Sequence, residues 1–228
     1  MKRLVSLVLC LAVVFLVMPV RKVAAADSST SATTYTEGYY QYTVNSDGTA
    51  TITDCDESIF GNVTIPSKLG GHSVTYIGEF AFFRCENLTS ITIPDGVIII
   101  NGTAFAACYN LTNIVVYSTN PNYCLIDNML IDKNTRTLIF CSRTKSGVLE
   151  IPNGIITISS AAFYNCKNLT NIVIPDSVIE IGYYAFYDCK SLSSIIIPKG
   201  ITSIGYSTFS YCQSLRSITI PNSVTSIS

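Results

Sequence analysis

The stretch NLTNIVIPDSVIEIGYYAFYDC, residues 168–189, decides the fold because its pattern recurs along the chain. The same order of residue types returns in SLSSIIIPKGITSIGYSTFSYC, residues 191–212. Pro152, Pro175, Pro198 and Pro221 follow one another at intervals of 23 residues. Five copies of a Phe-x-x-Cys-x-x-Leu phrase begin at Phe82, Phe105, Phe163, Phe186 and Phe209. A pattern with a fixed period is typical of a protein built from stacked units.

Each 23-residue unit is too small to bury its own apolar side chains, so neighbouring units must stack to form a core. Leu88-x-x-Ile91-x-Ile93 has the spacing that turns alternate side chains of a strand inward. The proline that follows ends the strand because it has no amide proton. The sequence therefore predicts a leucine-rich-repeat solenoid, mostly β, with a parallel sheet and with turns or single helical turns on its outer side. It also predicts that the five phenylalanines line up in a single file.

Two insertions and an N-terminal cap interrupt the repeats, which we predict over 66–228. Residues 69–73 are extra between Pro66 and Pro94, and the proline position at Tyr117 is followed by Pro152 only 35 residues later. The second insertion, about 118–151, predicts a hairpin with strands over 128–132 and 137–140. Runs over 39–44 and 49–53 flank a turn sequence and predict a β-hairpin cap over 37–65, after a Ser/Thr-rich linker over 27–36.

Residues 1–26 have the order of a secretory signal peptide: Lys2 and Arg3, an apolar run from Leu4 to Val20, then three alanines ending at Ala26. We expect cleavage there, a secreted or extracellular protein, in some cases associated with the cell surface, and no membrane insertion after cleavage. Removal of the signal leaves 10 basic against 15 acidic residues, a net charge of about −5. That charge argues against nucleic acid and anionic membranes as partners.

The polar residues predict no catalytic site, no metal site and no cofactor. His72 is the sole histidine, and no Cys-x-x-Cys pair that would favour zinc occurs. Eight cysteines follow the signal, and five share one repeat position, which favours a column of buried apolar thiols. Bridges between adjacent repeats stay open, because stacked strands lie about 4.8 Å apart. A bridge from Cys124 to Cys141 across the inserted hairpin is a further alternative.

The phrase Ile-Pro-x-x-Val-x-x-Ile-Gly-x-x-Ala-Phe-x-x-Cys-x-x-Leu resembles the BspA-like leucine-rich-repeat surface proteins, over about 36–228. The resemblance implies a right-handed solenoid on secreted or surface-displayed proteins, often of host-associated bacteria, that serve adhesion and protein binding. It carries no catalytic residues onto this chain, which we therefore predict not to be an enzyme. The chain stops at Ser228, halfway through a repeat, so an alternative function is a structural spacer or self-assembling scaffold that associates end to end through an uncapped edge.

Strand residues that alternate with the inward leucines and isoleucines point outward and predict the contact surface for a partner. That partner is expected to be a protein, such as a host-surface or extracellular-matrix protein, or a glycan. The outward residues form two predicted columns, Ser90, Asn113, Asn171, Ser194 and Ser217 in one and Thr92, Val115, Val173, Ile196 and Thr219 in the other. Tyrosines at the repeat corners offer a rival contact surface, although half-buried packing also explains them. These are Tyr164, Tyr183, Tyr184, Tyr187, Tyr206 and Tyr211.

Overall fold

The structure, a computed structural model, describes the backbone of residues 21–22 and all of residues 33–228. Within this part of the chain every regular element is a strand, and the strands wind into a β-solenoid of about eight turns. The outer corners, where the sequence allowed turns or single helical turns, are turns. The predicted signal peptide falls outside the described residues except for 21–22.

The strands are short, because each coil bends at its prolines and glycines. In chain order they are β1 (Arg21–Lys22), β2 (Thr34–Glu37), β3 (Tyr40–Val44), β4 (Ala50–Cys55), β5 (Gly61–Thr64), β6 (Lys68–Leu69), β7 (His72–Ile77), β8 (Leu88–Ile93), β9 (Ile99–Ile100), β10 (Asn113–Val116), β11 (Tyr123–Ile126), β12 (Met129–Asp132), β13 (Thr137–Cys141), β14 (Ser146–Glu150), β15 (Thr157–Ile158), β16 (Asn168–Val173), β17 (Glu180–Ile181), β18 (Ser194–Ile196), β19 (Ser203–Ile204), β20 (Ser217–Thr219) and β21 (Ser226–Ile227).

The N-terminal end is closed by antiparallel strands. The hairpin β3–β4 forms where the sequence predicted it, and β2 adds to it from the segment 34–37. The β4 strand then pairs in parallel with β7, which places the hairpin at the start of the first repeat. Tyr42 of β3 is buried, and its hydroxyl packs so close to Gly70 that a side chain at Gly70 would collide with it. The inserted loop that contains Gly70 and Gly71 therefore packs against the N-terminal cap.

The longer strands of successive repeats lie side by side in parallel, but in two separate sheets. One sheet has the order β10-β8-β5, and the other has the order β14-β16-β18-β20. Between them the antiparallel hairpin β12–β13 is inserted, with β11 on its outer edge, so the predicted hairpin over 128–132 and 137–140 is present. Short strands that follow the prolines form a second set of parallel ladders, which include β15-β17 and β19-β21, and the hairpin strand β13 pairs in parallel with β15.

The core divides at the same place as the sheets. Phe82, Phe105 and Phe140 follow one another with ring centroids 5.6 and 6.3 Å apart. Phe163, Phe186 and Phe209 form a second file, with centroids 5.2 and 5.4 Å apart. The hairpin places Phe140 after Phe105, so the stack of rings contains a sixth phenylalanine that the sequence prediction did not include. Each file lies in its own cluster of buried apolar side chains.

Two corner positions in the coils have a left-handed backbone without glycine. The first holds Phe80, Ala161, Tyr184 and Ser207, with φ between 52° and 57°. The second lies directly before each cysteine of the column and holds Arg84, Ala107, Asn165, Asp188 and Tyr211, with φ between 56° and 65°. This conformation is unfavourable for residues with a Cβ. At several of these positions the amide donates a hydrogen bond to the next coil, as from Asp188 N to Ser210 O at 2.9 Å.

Candidate functional site

The ten predicted contact residues lie on the outer face of the long strands, but they do not form two continuous columns. The register pairs Ser90 with Asn113 and Thr92 with Val115 in the β10-β8-β5 sheet. Asn171 and Ser194 pair in the β14-β16-β18-β20 sheet, and Ser194 and Ile196 pair with Ser217 and Thr219 there. The predicted columns are interrupted between Asn113 and Asn171, because Asn171 pairs with Val148 of β14 and the two sheets are not paired with each other.

The apolar part of the predicted surface is exposed in the second sheet only. Val173 is 46% and Ile196 is 68% exposed, whereas Thr92 and Val115 in the first sheet are half-buried. Strand alternation explains the exposure, since the neighbouring Ile172 and Ile195 point into the core. Single exposed apolar side chains are common, but Val173 and Ile196 lie on paired strands and form a patch, which is informative.

Two residues of this face were missed by the sequence prediction. Val148 and Glu150 lie on β14, in register with Asn171 and Val173 respectively. Val148 is 63% exposed, so it extends the apolar patch to a third strand. The alternation Val148-Leu149-Glu150-Ile151 before Pro152 could have revealed them, but the leading leucine of the repeat phrase is absent and the register contains a bulge after Gly147.

We call Val148, Val173 and Ile196 the apolar triad. Its surroundings are polar: Asn171 and Ser194 continue the column of Val148, and Glu150 and Thr219 border Val173 and Ile196 in the other column. A dry centre with a polar rim is the arrangement found at protein–protein contacts.

The corner tyrosines divide into two groups. Tyr164, Tyr184 and Tyr187 are half-buried, and the rings of Tyr164 and Tyr187 stack at 4.7 Å. Burial and neighbouring tyrosine hydroxyls raise the pKa of Tyr164 and of Tyr187, so both stay neutral. Tyr183, Tyr206 and Tyr211 are exposed. Half-buried packing therefore explains the first group but not the second.

The groups that could support catalysis are occupied in structural roles. Nδ1 of His72 lies 2.8 Å from the main-chain oxygen of Gly48, which ties the Gly-Gly loop to the cap. Each of the eight cysteines within residues 33–228 is a free thiol, and burial raises the pKa of Cys108 to about 12. Among these residues no group of three acidic, histidine or cysteine side chains is placed to bind a metal ion.

The proposed bridge from Cys124 to Cys141 is excluded by the strand order. Cys124 on β11 lies opposite Ile131, and Cys141 on β13 lies opposite Met129, so the whole of β12 separates the two thiols. Two strand spacings amount to about 9 to 10 Å, beyond the Cα separation of roughly 7 Å that a disulfide accepts.

Comparison with solved structures places the fold among bacterial leucine-rich-repeat proteins. A leucine rich cell surface protein from Faecalibacterium prausnitzii matches over 88% of this chain and 86% of its own, with 24% identity and a TM-score of 0.56. A leucine-rich-repeat protein of T. pallidum, also 24% identical, matches over 83% of each chain with a TM-score of 0.47. The comparison with curated proteins finds no match. In the part of the chain that the structure describes, no helix has the length and apolar character needed to cross a membrane.

The repeat itself is recognised directly. The family described as the BspA type leucine rich repeat region matches residues 53–137 and 134–228, with six copies. These ranges begin within the cap and meet at the inserted hairpin, in agreement with the two sheets. The chain therefore belongs to the BspA type leucine-rich-repeat family.

Proposed function

We propose that this protein is a secreted or surface-displayed module for protein binding and adhesion, and that its contact surface is the outer face of β14, β16, β18 and β20. The exposure of the apolar triad is the observation that supports this function. Val148, Val173 and Ile196 occupy three neighbouring strands, and diagonal or direct neighbours in a sheet lie within reach of each other. A continuous apolar patch on an otherwise polar face is typical of an interaction site.

The alternative explanation is that β-branched residues simply suit strands. The first sheet also has β-branched residues at two of its outward positions, Thr92 and Val115, but both are half-buried, and Ser90 and Asn113 beside them are polar. Suitability for strands therefore accounts for the residue type, whereas the exposure of large apolar side chains is particular to the second sheet.

A triple variant tests this surface. Val148→Asp, Val173→Asp and Ile196→Asp together place three carboxylates at the centre of the face, and we expect them to abolish binding to immobilised host extracellular-matrix proteins. Ile98→Asp with Ile99→Asp is the control, because both side chains are exposed on the short-strand side. Circular dichroism should be unchanged in both variants. Retained matrix binding by the triple variant, or equal loss in the control, would contradict the proposal.

We also propose that export removes residues 1–26 before the module acts. Cleavage after Ala26 would remove β1, whose two residues pair with Tyr35 and Thr36 of β2. The hairpin β3–β4 and the repeats do not depend on that pair, since β2 has its main contacts with β3. Mass spectrometry of the protein recovered from culture medium should show Asp27 as the first residue. Material that begins at Met1 would overturn this step.

A further inference from the structure

Tyr183 lies on the short-strand side of the solenoid, away from the apolar triad. Its ring rests on the backbone of the next coil at Gly205, where an added Cβ would lie 2.5 Å from Cδ1 of Tyr183. The side chain is nevertheless 60% exposed. One face of the ring is therefore supported by the protein and the other is open to solvent.

The fold does not require an aromatic residue at this position. Counted from the inward isoleucine of each short strand, the equivalent residues in earlier coils are Glu79, Gly102 and Ser160. Tyr206 occupies the position in the following coil and is 58% exposed. Its ring is held by an edge-to-face contact with Tyr184, at 5.6 Å and 78°. Two adjacent coils thus present open tyrosine rings that the repeat does not need.

A shallow cleft of about 380 Å³ borders Tyr183 and is lined by polar groups. Ser160, Glu180, Thr202 and Ser203 contribute to its wall, and Ile179 contributes an apolar side. Within residues 33–228 the hydroxyls of Ser160 and Ser203 have no hydrogen-bond partner, and Glu180 has only a 3.5 Å contact from Thr157. The cleft therefore holds free donors and acceptors next to an exposed ring.

A pyranose ring matches this combination. Its C–H groups form an apolar face that packs on an aromatic ring, while its hydroxyls at the edge bond to carboxylates and hydroxyls. Successive coils are about 4.8 Å apart, close to the advance of one pyranose in an extended chain. The carboxylate of Glu180 and the absence of lysine and arginine from the cleft lining disfavour anionic sugars. Most of the lining side chains are polar, which favours a ligand rich in hydroxyls over an apolar protein side chain.

We propose that Tyr183 and Tyr206 form a carbohydrate-binding site for an extended chain of neutral hexopyranoses. One sugar stacks on Tyr183 with its hydroxyls directed to Glu180 and Ser203, and the next sugar stacks on Tyr206 in the following coil. This site is separate from the protein-binding face.

Affinity electrophoresis of the full chain tests the site, with mixed-linkage β-glucan, β-mannan and hydroxyethylcellulose as neutral probes and polygalacturonate as the anionic probe. At least one neutral polysaccharide should retard the wild-type protein, and polygalacturonate should not. Tyr183→Ser with Tyr206→Ser, which copies the residue of the coil at Ser160, should weaken binding at least about tenfold. Tyr183→Phe, which keeps the ring, should bind as the wild type does. Tyr211→Ser removes an exposed tyrosine outside the cleft and serves as the matched control.

Three results would overturn the carbohydrate site. The first is that none of the three neutral polysaccharides retards the wild-type protein. The second is that the double serine variant binds as strongly as the wild type. The third is that polygalacturonate retards the wild-type protein more than the neutral polysaccharides do. The triple aspartate variant of the protein-binding face should keep its polysaccharide binding, so failure of one proposal is distinguishable from failure of the other.

Discussion

The thiol of Cys108 donates a hydrogen bond to the main-chain oxygen of Phe82 in the preceding coil, with an Sγ–O distance of 2.8 Å. The same relationship joins Cys189 to Phe163 at 3.2 Å and Cys212 to Phe186 at 3.1 Å. Each of these carbonyls also accepts the amide of the cysteine three residues later in its own coil. The cysteine column therefore links each coil to its neighbour, and it does so only while the thiols keep their protons.

Removal of one such thiol should lower stability. We expect Cys108→Ala to reduce the free energy of unfolding by about 1 to 2 kcal/mol, from the lost hydrogen bond and the small cavity left by Sγ. Cys124→Ala is the control, since this thiol lies half-buried on β11 outside the column and should change stability by less than about 0.5 kcal/mol. Urea unfolding followed by circular dichroism measures both. Equal stability of the two variants would show that the thiol bonds contribute nothing.

The buried thiols also predict a loss of stability at alkaline pH. Burial raises the pKa of Cys108 from 9.0 to about 12, so the unfolded chain loses this proton at a lower pH than the native protein does. Below about pH 9 both states hold the proton and the free energy of unfolding is insensitive to it. Between about pH 9 and 12 the free energy of unfolding should fall, by up to about 1.4 kcal/mol per pH unit for this thiol. Cys108→Ala should have a shallower slope than the wild type in urea unfolding over that range; an unchanged slope contradicts the assignment.

Substitution by glycine should remove the backbone strain at a corner residue that has a left-handed conformation. Ser207 has φ of 52°, a conformation that costs roughly 1 to 2 kcal/mol for a residue with a Cβ. Ser207→Gly removes this strain but gives the unfolded chain more freedom, so we expect a net gain of about 0.5 kcal/mol. Ser210→Gly, three residues later at an ordinary φ, should instead lose about 0.5 to 1 kcal/mol. Thermal unfolding of the pair measures the difference, and the same sign for both would refute the strain.

Much of the fold can be predicted from the sequence because the 23-residue period shows which positions are equivalent in successive coils. The repeats that contain Pro175 and Pro198 are sufficient to predict the strands, the inward residues and the stacking of Phe186 on Phe209. The apolar triad was only partly predictable, since Val148 precedes a proline but follows no leucine of the repeat phrase. The break between the sheets was not predictable from spacing, because it depends on how the hairpin packs. Nor does spacing show which tyrosine lies open, as Tyr183 and Tyr184 are adjacent in sequence but differ in burial.

Arg143 lies between the two clusters of buried apolar side chains, and we expect its substitution to change the stability of the protein. Its Nη2 donates to the main-chain oxygen of Phe105 at 3.3 Å, the carbonyl that a column thiol would otherwise reach, and its guanidinium lies over the ring of Phe140. Burial lowers the pKa of Arg143, and within the described residues its Nε has no partner and no acidic side chain pairs with it.

Because a buried charge without a counterion costs more than its hydrogen bond returns, Arg143→Met should stabilise the protein by about 1 to 2 kcal/mol. Methionine has a similar length and packs well on an aromatic ring such as Phe140. Arg143→Ala is the comparison, and the cavity it leaves should lower the free energy of unfolding by about 2 kcal/mol. Chemical unfolding of the three proteins tests this order. A methionine variant less stable than the wild type would mean that the guanidinium is needed to join the two halves of the solenoid.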